Sequence, residues 1–184
     1  DEASSAMVVH YDYTVLAGTQ GGRNHYKQDR LFELALRFRM PLVLFSEGGG
    51  GRPGDDDLGP GVSFDTHTFT QFAKLSGAVP MIGVNHGRCF AGNTVLLACC
   101  DVIIATKDST IGMGGPAMIE GGGLGVYTPE EVGPMSFQVP NGVVDILVDD
   151  EAEAVSVAKK YLSYFQGTID RWEASDQLRL RHVI

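Results

Sequence analysis

The pattern that most restricts this chain is a unit that occurs twice: an amphipathic helix, a proline, then a short strand apolar at nearly every position. Between Tyr26 and Phe38 the apolar residues Leu31, Leu34, Ala35 and Phe38 recur at three- and four-residue spacing, with Lys27, Asp29, Arg30, Glu33 and Arg37 between them. That spacing predicts a helix with one buried face. Pro41 stops it, and Leu42-Val43-Leu44-Phe45 follows, a run of the kind buried on both faces of a parallel sheet. Phe69, Phe72, Ala73 and Leu75-Ser76 repeat the helical spacing, Pro80 punctuates, and Met81-Ile82-Gly83-Val84 gives the second buried strand.

The rest of the chain extends this alternation. Val8 to Leu16, rich in β-branched and aromatic residues, predicts a strand. Thr94 to Cys100 predicts an apolar helix; Val102-Ile103-Ile104-Ala105, Ser109 to Met113 and Val143 to Val148 predict strands. Glu151 to Phe165 predicts a helix whose acidic start suits its N-terminal dipole. Strands alternating with helices imply an α/β layer fold with a mainly parallel sheet, although strand order is not legible in such a pattern.

At 184 residues the chain fits one domain, since a core of this size buries roughly 70% of the surface of the unfolded chain. That domain is placed at 8–165. Residues 1–7 are expected to be a disordered or appended start, and 166–184 a tail or linker running off the core. A formal charge of -9 opposes nucleic acid and anionic membranes, which need basic surface for long-range attraction. No apolar run approaches the ~20 residues that cross a bilayer, and the polar start lacks the order of a signal peptide, so a cytoplasmic location is expected. Cys89, Cys99 and Cys100 are odd in number and lack paired spacing, which predicts neither a disulfide framework nor zinc.

Glycine is over-used, at 24 residues against an average share of about 7%, and it clusters in turns. Glu47-Gly48-Gly49-Gly50-Gly51-Arg52 comes directly after the buried strand ending at Phe45. Its uncovered backbone N–H groups could hold an anion or oxyanion, or the stretch could be a plain surface loop. Gly49-x-Gly51-x-x-Gly54 matches the dinucleotide-binding pattern by letter, but Asp55, Asp56 and Asp57 follow it and no periodic helix opens there, which argues against phosphate. A second turn, Asn85-His86-Gly87-Arg88-Cys89-Phe90-Ala91-Gly92-Asn93, follows the other buried strand and leads into the helix from Thr94. If the strands are parallel, both turns lie at their carboxyl ends, where α/β sheets form ligand crevices.

The stretch from Asn85 to Ala105, with its glycine turn, apolar helix and Cys100-Asp101-Val102-Ile103-Ile104-Ala105, resembles the signature of the crotonase superfamily. Within it, the chain is similar to the N-terminal domain of the beta-type carboxyltransferase subunits of biotin-dependent acyl-CoA carboxylases. Three segments carry that narrower likeness. Asp12-Tyr13-Thr14-Val15-Leu16-Ala17-Gly18-Thr19 resembles their D-F-T-V-x-x-G-S, Gly48 to Arg52 stands where they carry S-G-G-A-R, and Gly115-Pro116 with Thr128-Pro129-Glu130-Glu131-Val132-Gly133 resembles their G-P and T-x-E-E-L-G.

The resemblance implies a crotonase-type β-β-α superhelix that binds acyl-CoA. Carboxybiotin, carried by a separate domain or subunit, would deliver carboxylate to the α-carbon while backbone donors hold the enolate oxygen. By the same resemblance one donor lies among Gly49, Gly50 and Gly51 and the other at Gly92 or Asn93. Arg23, Lys27 and Arg30 are candidates for the phosphates of coenzyme A, or for a solvated helix face. Arg52 and Arg88 are candidates for shaping the site or meeting a carboxylate, and His86 for bracing its turn. The implied partners are biotin carboxylase and biotin carboxyl carrier domains or subunits and a carboxyltransferase C-terminal domain, with a homo-oligomer when complete; alone, the chain is expected to be inactive. Gly48 and Asn93 depart from the family pattern, which has serine and a small residue there. Two other readings compete: a stand-alone hydratase, isomerase or decarboxylase using Glu47 or Glu120, and a non-catalytic acyl-CoA-binding module.

Overall fold

The computed structural model describes residues 5–52, 54 and 67–165. Five strands, β1 (Met7–His10), β2 (Leu42–Phe45), β3 (Met81–Asn85), β5 (Val102–Thr106) and β7 (Ile146–Val148), form one sheet in the order β1-β2-β3-β5-β7. Every pairing in it is parallel, in a register that sets Leu42 beside Met81 and Ile82 beside Val102. A shorter parallel pair, β4 (Arg88–Phe90) with β6 (Thr110–Gly112), forms a second sheet.

Alternate residues of each strand enter different cores. Val9, Leu42, Leu44 and Met81 pack under α1 (Gly22–Phe38), α2 (His67–Ala73) and α3 (Gly92–Ala98), meeting Phe32, Ala35, Phe72 and Leu96. Val43, Ile82, Val84, Val102 and Ile104 face the other way, toward Ala154 and Ala158 of α6 (Glu151–Leu162). The small sheet closes a third cluster of Cys89, Ile111, Leu97, Ile103 and Met135, the last from α5 (Met135–Gln138). Burial on both faces is why β2, β3 and β5 read as unbroken apolar runs.

Several elements differ from expectation. The first strand ends at His10, because Asp12 accepts from the Thr14 amide at 2.9 Å and its carbonyl from Val15 at 3.0 Å. This side-chain turn outcompetes the β propensity of Tyr13 to Leu16, and Leu16–Gly18 forms a 3-10 turn. Met7, placed in the disordered start, belongs to β1. The rest of that start and the tail at 166–184 lie outside the described residues, except Ser5 and Ala6. α1 opens at Gly22, four residues early, with Gly21 as its cap and Asn24 reaching back to the Gly21 amide. β7 starts at Ile146, since Val143 is drawn into a turn by the Gln138 carbonyl. α6 ends at Leu162 and passes into a 3-10 turn, Ser163–Phe165. β4, α4 (Pro116–Gly121), α5 and the 3-10 turn Pro129–Glu131 had no counterpart in the sequence reading.

Gly83 sets the closeness of α3 to the sheet. A Cβ there would stand 2.4 Å from Leu97 Cδ1 and 3.3 Å from Cys100 Sγ. Gly83→Val should therefore overpack the core and cost about 1–3 kcal/mol, read as a lowered urea midpoint with an unchanged slope.

Candidate active site

The two glycine turns meet at the carboxyl end of the main sheet. Beyond β2, Ser46 still donates its amide to Val84, and Gly48 then pairs with Cys89 in an isolated parallel bridge. The Gly48 amide donates to Arg88 O at 2.9 Å and its carbonyl accepts from Phe90 at 2.8 Å. One turn is thereby hydrogen-bonded to the strand that leads into the other. Glycine is required at the contact: a Cβ on Gly48 would lie 2.1 Å from Asn93 Nδ2 and 2.4 Å from Gly18 O. Gly50 has φ +85°, and a Cβ on it would come within 2.5 Å of Ala91 Cβ and 3.2 Å of the Gly92 nitrogen.

The amides of the first turn are not equivalent. Gly49 donates to Ala17 O at 3.0 Å, and Gly50 donates to the buried Asn93 Oδ1 at 3.0 Å. Gly50 O accepts from Gln20, and Arg52 donates its amide to Gln20 O. The Gly51 amide has no hydrogen-bond partner among the described residues, and nothing stands within 4 Å of where its Cβ would be. Of the three glycines expected to supply a donor, Gly51 is the one whose N–H is uncommitted among the described residues.

In the second turn, Ala91 joins β4 to α3 with φ 51° and ψ -120°, a conformation that costs a non-glycine residue about 1–3 kcal/mol. Its surroundings hold it there. Thr94 Oγ1 lies 2.9 Å from Cys89 O and 3.0 Å from Gly112 O, the Ala91 amide donates to Gly112 O, and its carbonyl accepts from Val95. The amides of Gly92 and Asn93 have no partner among the described residues. Gln20 flanks this point: its Oε1 would be 2.8 Å from a Cβ on Gly92, and its Nε2 donates to the Tyr11 hydroxyl at 2.8 Å.

The charged candidates divide. Lys27 and Arg52 line one cavity of about 250 Å³ together with Tyr11, Gly18, Thr19 and Asn24. Arg52 is fixed there, donating to Thr19 O at 2.9 Å and to Thr19 Oγ1 at 3.3 Å. Arg30 pairs with Glu33 on the exposed side of α1, and Arg23 is exposed two turns earlier. Arg88 forks onto Glu130, with Nε at 3.0 Å. Their hydrogen bonds raise the Arg88 guanidinium above its ordinary range and lower the Glu130 carboxyl below its own. This pair ties the second turn to the Thr128–Glu131 capping box.

Glu47 is buried, and its carboxylate is taken by His86: Oε1 accepts from the His86 amide and Oε2 lies 3.3 Å from Nε2. The two residues border a second cavity of about 290 Å³ lined also by Val8, His10 and Phe45. Glu120 is exposed on α4. Sequence reasoning missed Gln20, Tyr11 and the side chain of Asn93. The usable signal for Asn93 was that it and Gly48 depart from the family pattern together.

The carboxyl transferase domain family matches residues 4–177. The chain belongs to that family. A solved single-chain, multi-domain long-chain acyl-CoA carboxylase is 62% identical to it with a TM-score of 0.83, over 97% of this chain and 18% of that one. The methylmalonyl-CoA carboxyltransferase 12S subunit of Propionibacterium freudenreichii is 32% identical over 83% of this chain and 29% of its own length. An uncharacterized carboxylase of Bacillus subtilis, YngE, is 31% identical over 88% and 32% respectively. Other relatives are named as beta subunits of biotin-dependent acyl-CoA carboxylases. The chain spans about a third of the length of these curated relatives or less. The likeness extends to the crotonase-type fold of the carboxyl transferase family, including its parallel sheet. No helix among the described residues is long and apolar enough to cross a membrane.

Burial pushes the Cys89 thiol, under the site, up to about 11 from an ordinary 9.0. The folded chain therefore keeps a proton that the unfolded chain releases, so this stabilisation is present below pH 9 and is lost as pH rises through about 11. Tyr11, also raised by burial, acts in the same direction. The urea midpoint should fall across that window, and Cys89→Ala should make the fall shallower.

Proposed function

We propose that this chain is the acyl-CoA-binding part of a biotin-dependent carboxyltransferase, in which carboxylate passes from carboxybiotin to the α-carbon of an acyl-CoA. The observation that carries the reading is that the Gly51 and Gly92 amides have no partner among the described residues, on two turns that touch at Gly50 and Ala91. A thioester carbonyl set between them would accept both N–H groups. As the α-carbon loses its proton, negative charge develops on that oxygen, and preformed donors stabilise it without reorganising.

The strained Ala91 explains why the second donor is held still. A sharp strand-to-helix turn fixes the peptide that follows it, an arrangement also used where the amide after a catalytic turn residue serves an oxyanion. Carboxybiotin, on a separate domain or subunit, would supply the carboxylate. What this chain's residues do is bind and orient the thioester and hold its oxygen. Glu47 is engaged with His86, so the chain's part in proton removal is to stabilise the resulting enolate.

Lys27 and Arg52, lining one cavity beside Gly18 and Thr19, are the cations best placed for an anionic part of coenzyme A. Arg88, engaged with Glu130, supports the turn instead. The family's architecture adds the remaining proposals: a domain at 8–165, biotin carboxylase, a biotin carboxyl carrier and a carboxyltransferase C-terminal domain as partners, a homo-oligomeric assembly, a cytoplasmic location, and no activity from this chain alone.

Carboxyl transfer from carboxybiotin to a panel of acyl-CoAs by the complete protein tests the reading; turnover of none would end it. In Gly92→Val the new side chain meets Gln20 Oε1 and stands beside the amide. The expected loss is about 10²–10³ in kcat, the scale of one oxyanion donor, with free CoA binding little changed. Lys27→Glu should instead raise the KM for acyl-CoA several-fold, roughly as charge reversal near an anion does, and more so at low salt.

A further inference from the structure

We propose that the side chain of Asn93 is a positioning residue that sets which amide of the first turn is left to the substrate and holds the two turns at a fixed separation. The inference rests on the oxyanion reading above and concerns the side chain, which that reading does not use. Asn93 is fully buried. Its Oδ1 accepts from the Gly50 amide at 3.0 Å and its Nδ2 lies 3.4 Å from Glu47 O. One side chain, rooted in the second residue of α3, thus grips the first turn at two points on either side of Gly48 and Gly49.

The grip has a cost that the sequence already meets. Nδ2 occupies the space in which a side chain on residue 48 would begin, 2.1 Å from that Cβ position, and glycine stands there. The grip also acts selectively. With Gly48 bonded to Arg88 O, Gly49 to Ala17 O and Gly50 to Asn93, Gly51 alone of the four glycines keeps an uncommitted N–H among the described residues. Oriented backbone donors are effective only when their geometry is fixed before the reaction, and an error near 1 Å costs up to about 100-fold. Removing the carboxamide would release the N–H of the Gly49–Gly50 peptide and leave the next peptide, which carries the Gly51 N–H, held only through the Gly50 carbonyl by Gln20.

Two variants of the complete protein decide the matter. Asn93→Ala removes both contacts; Asn93→Asp keeps an oxygen for the Gly50 amide at a helix start that tolerates a carboxylate. The expected result is a kcat for acyl-CoA carboxylation reduced about ten-fold or more in Asn93→Ala. The KM should stay within about three-fold and the melting temperature should drop by roughly the several degrees that orphaning a buried N–H costs, as binding and folding survive while alignment is lost. Asn93→Asp should recover most of the rate. Hydrogen exchange of the Gly50 amide, followed in glycine-labelled protein, should be slow in the parent and in Asn93→Asp and fast in Asn93→Ala.

An Asn93→Ala kcat within two-fold of the parent, or Gly50 exchange equal in all three proteins, would overturn the proposal. So would a folded Asn93→Asp as slow as Asn93→Ala. If Asn93→Ala does not fold, the rate and Gly50 exchange of Asn93→Asp decide alone. Should the parent carboxylate no acyl-CoA at all, the oxyanion reading fails, while Gly50 exchange still reports whether the grip exists.

Discussion

Two backbone segments, each arriving from a different parallel strand, touch with almost no side chain between them. Gly48 and Gly50 lie against Cys89, Ala91 and Gly92, and every other feature of the site is arranged to keep that contact. The Gly48 ladder bonds to Arg88 and Phe90 fix its register. Gln20 closes it from the side of α1, bonded through its backbone to Gly50 and Arg52 and through its side chain to Tyr11. Thr94 anchors the start of α3 to both strands of the small sheet. The framework is made of short-range directional bonds on a closely packed support, as the proposed donor site would require.

Charge is organised with the same economy. The chain is acidic overall, at -9, yet the two arginines at the turns are held in place rather than spread as a patch. Arg52 is locked onto Thr19, Arg88 onto Glu130, and Lys27 borders the cavity that Arg52 also lines. Long-range attraction of an anionic ligand is therefore weak, and recognition is left to contacts inside the crevice.

Much of this architecture could be read from the sequence because burial on both faces writes itself as unbroken apolar runs. Leu42–Phe45 and Met81 to Val84 were legible for that reason, as was a helix with Ala35 on its buried face; Phe32, which packs in the core, stood outside the stripe read from the sequence, and Phe38, counted in it, is exposed. Arg88–Phe90 was not, since three residues carry no periodicity and become a strand only through Thr110–Gly112 and Gly48. The first strand was overextended because β-branched residues continue past His10, while the bond that ends it comes from the side chain of Asp12. At the site, glycine clusters marked both turns correctly as places where backbone comes close to backbone. Which N–H groups stay free depended on acceptors far away in the chain, Ala17 O and Asn93 Oδ1. Local sequence holds no record of such partners.

The all-parallel pairing described for the main sheet also governs when binding competence arises during folding. Parallel neighbours need a crossover between them, and such non-local pairings form slowly. The first turn owes its shape to β4 and α3, and the second owes its hold to Gly112 of β6, so neither exists in a chain that has completed only its first crossover. The contact between the two turns is thus a property of the finished topology, and a partly folded chain, however rich in secondary structure, would present neither turn in its final form.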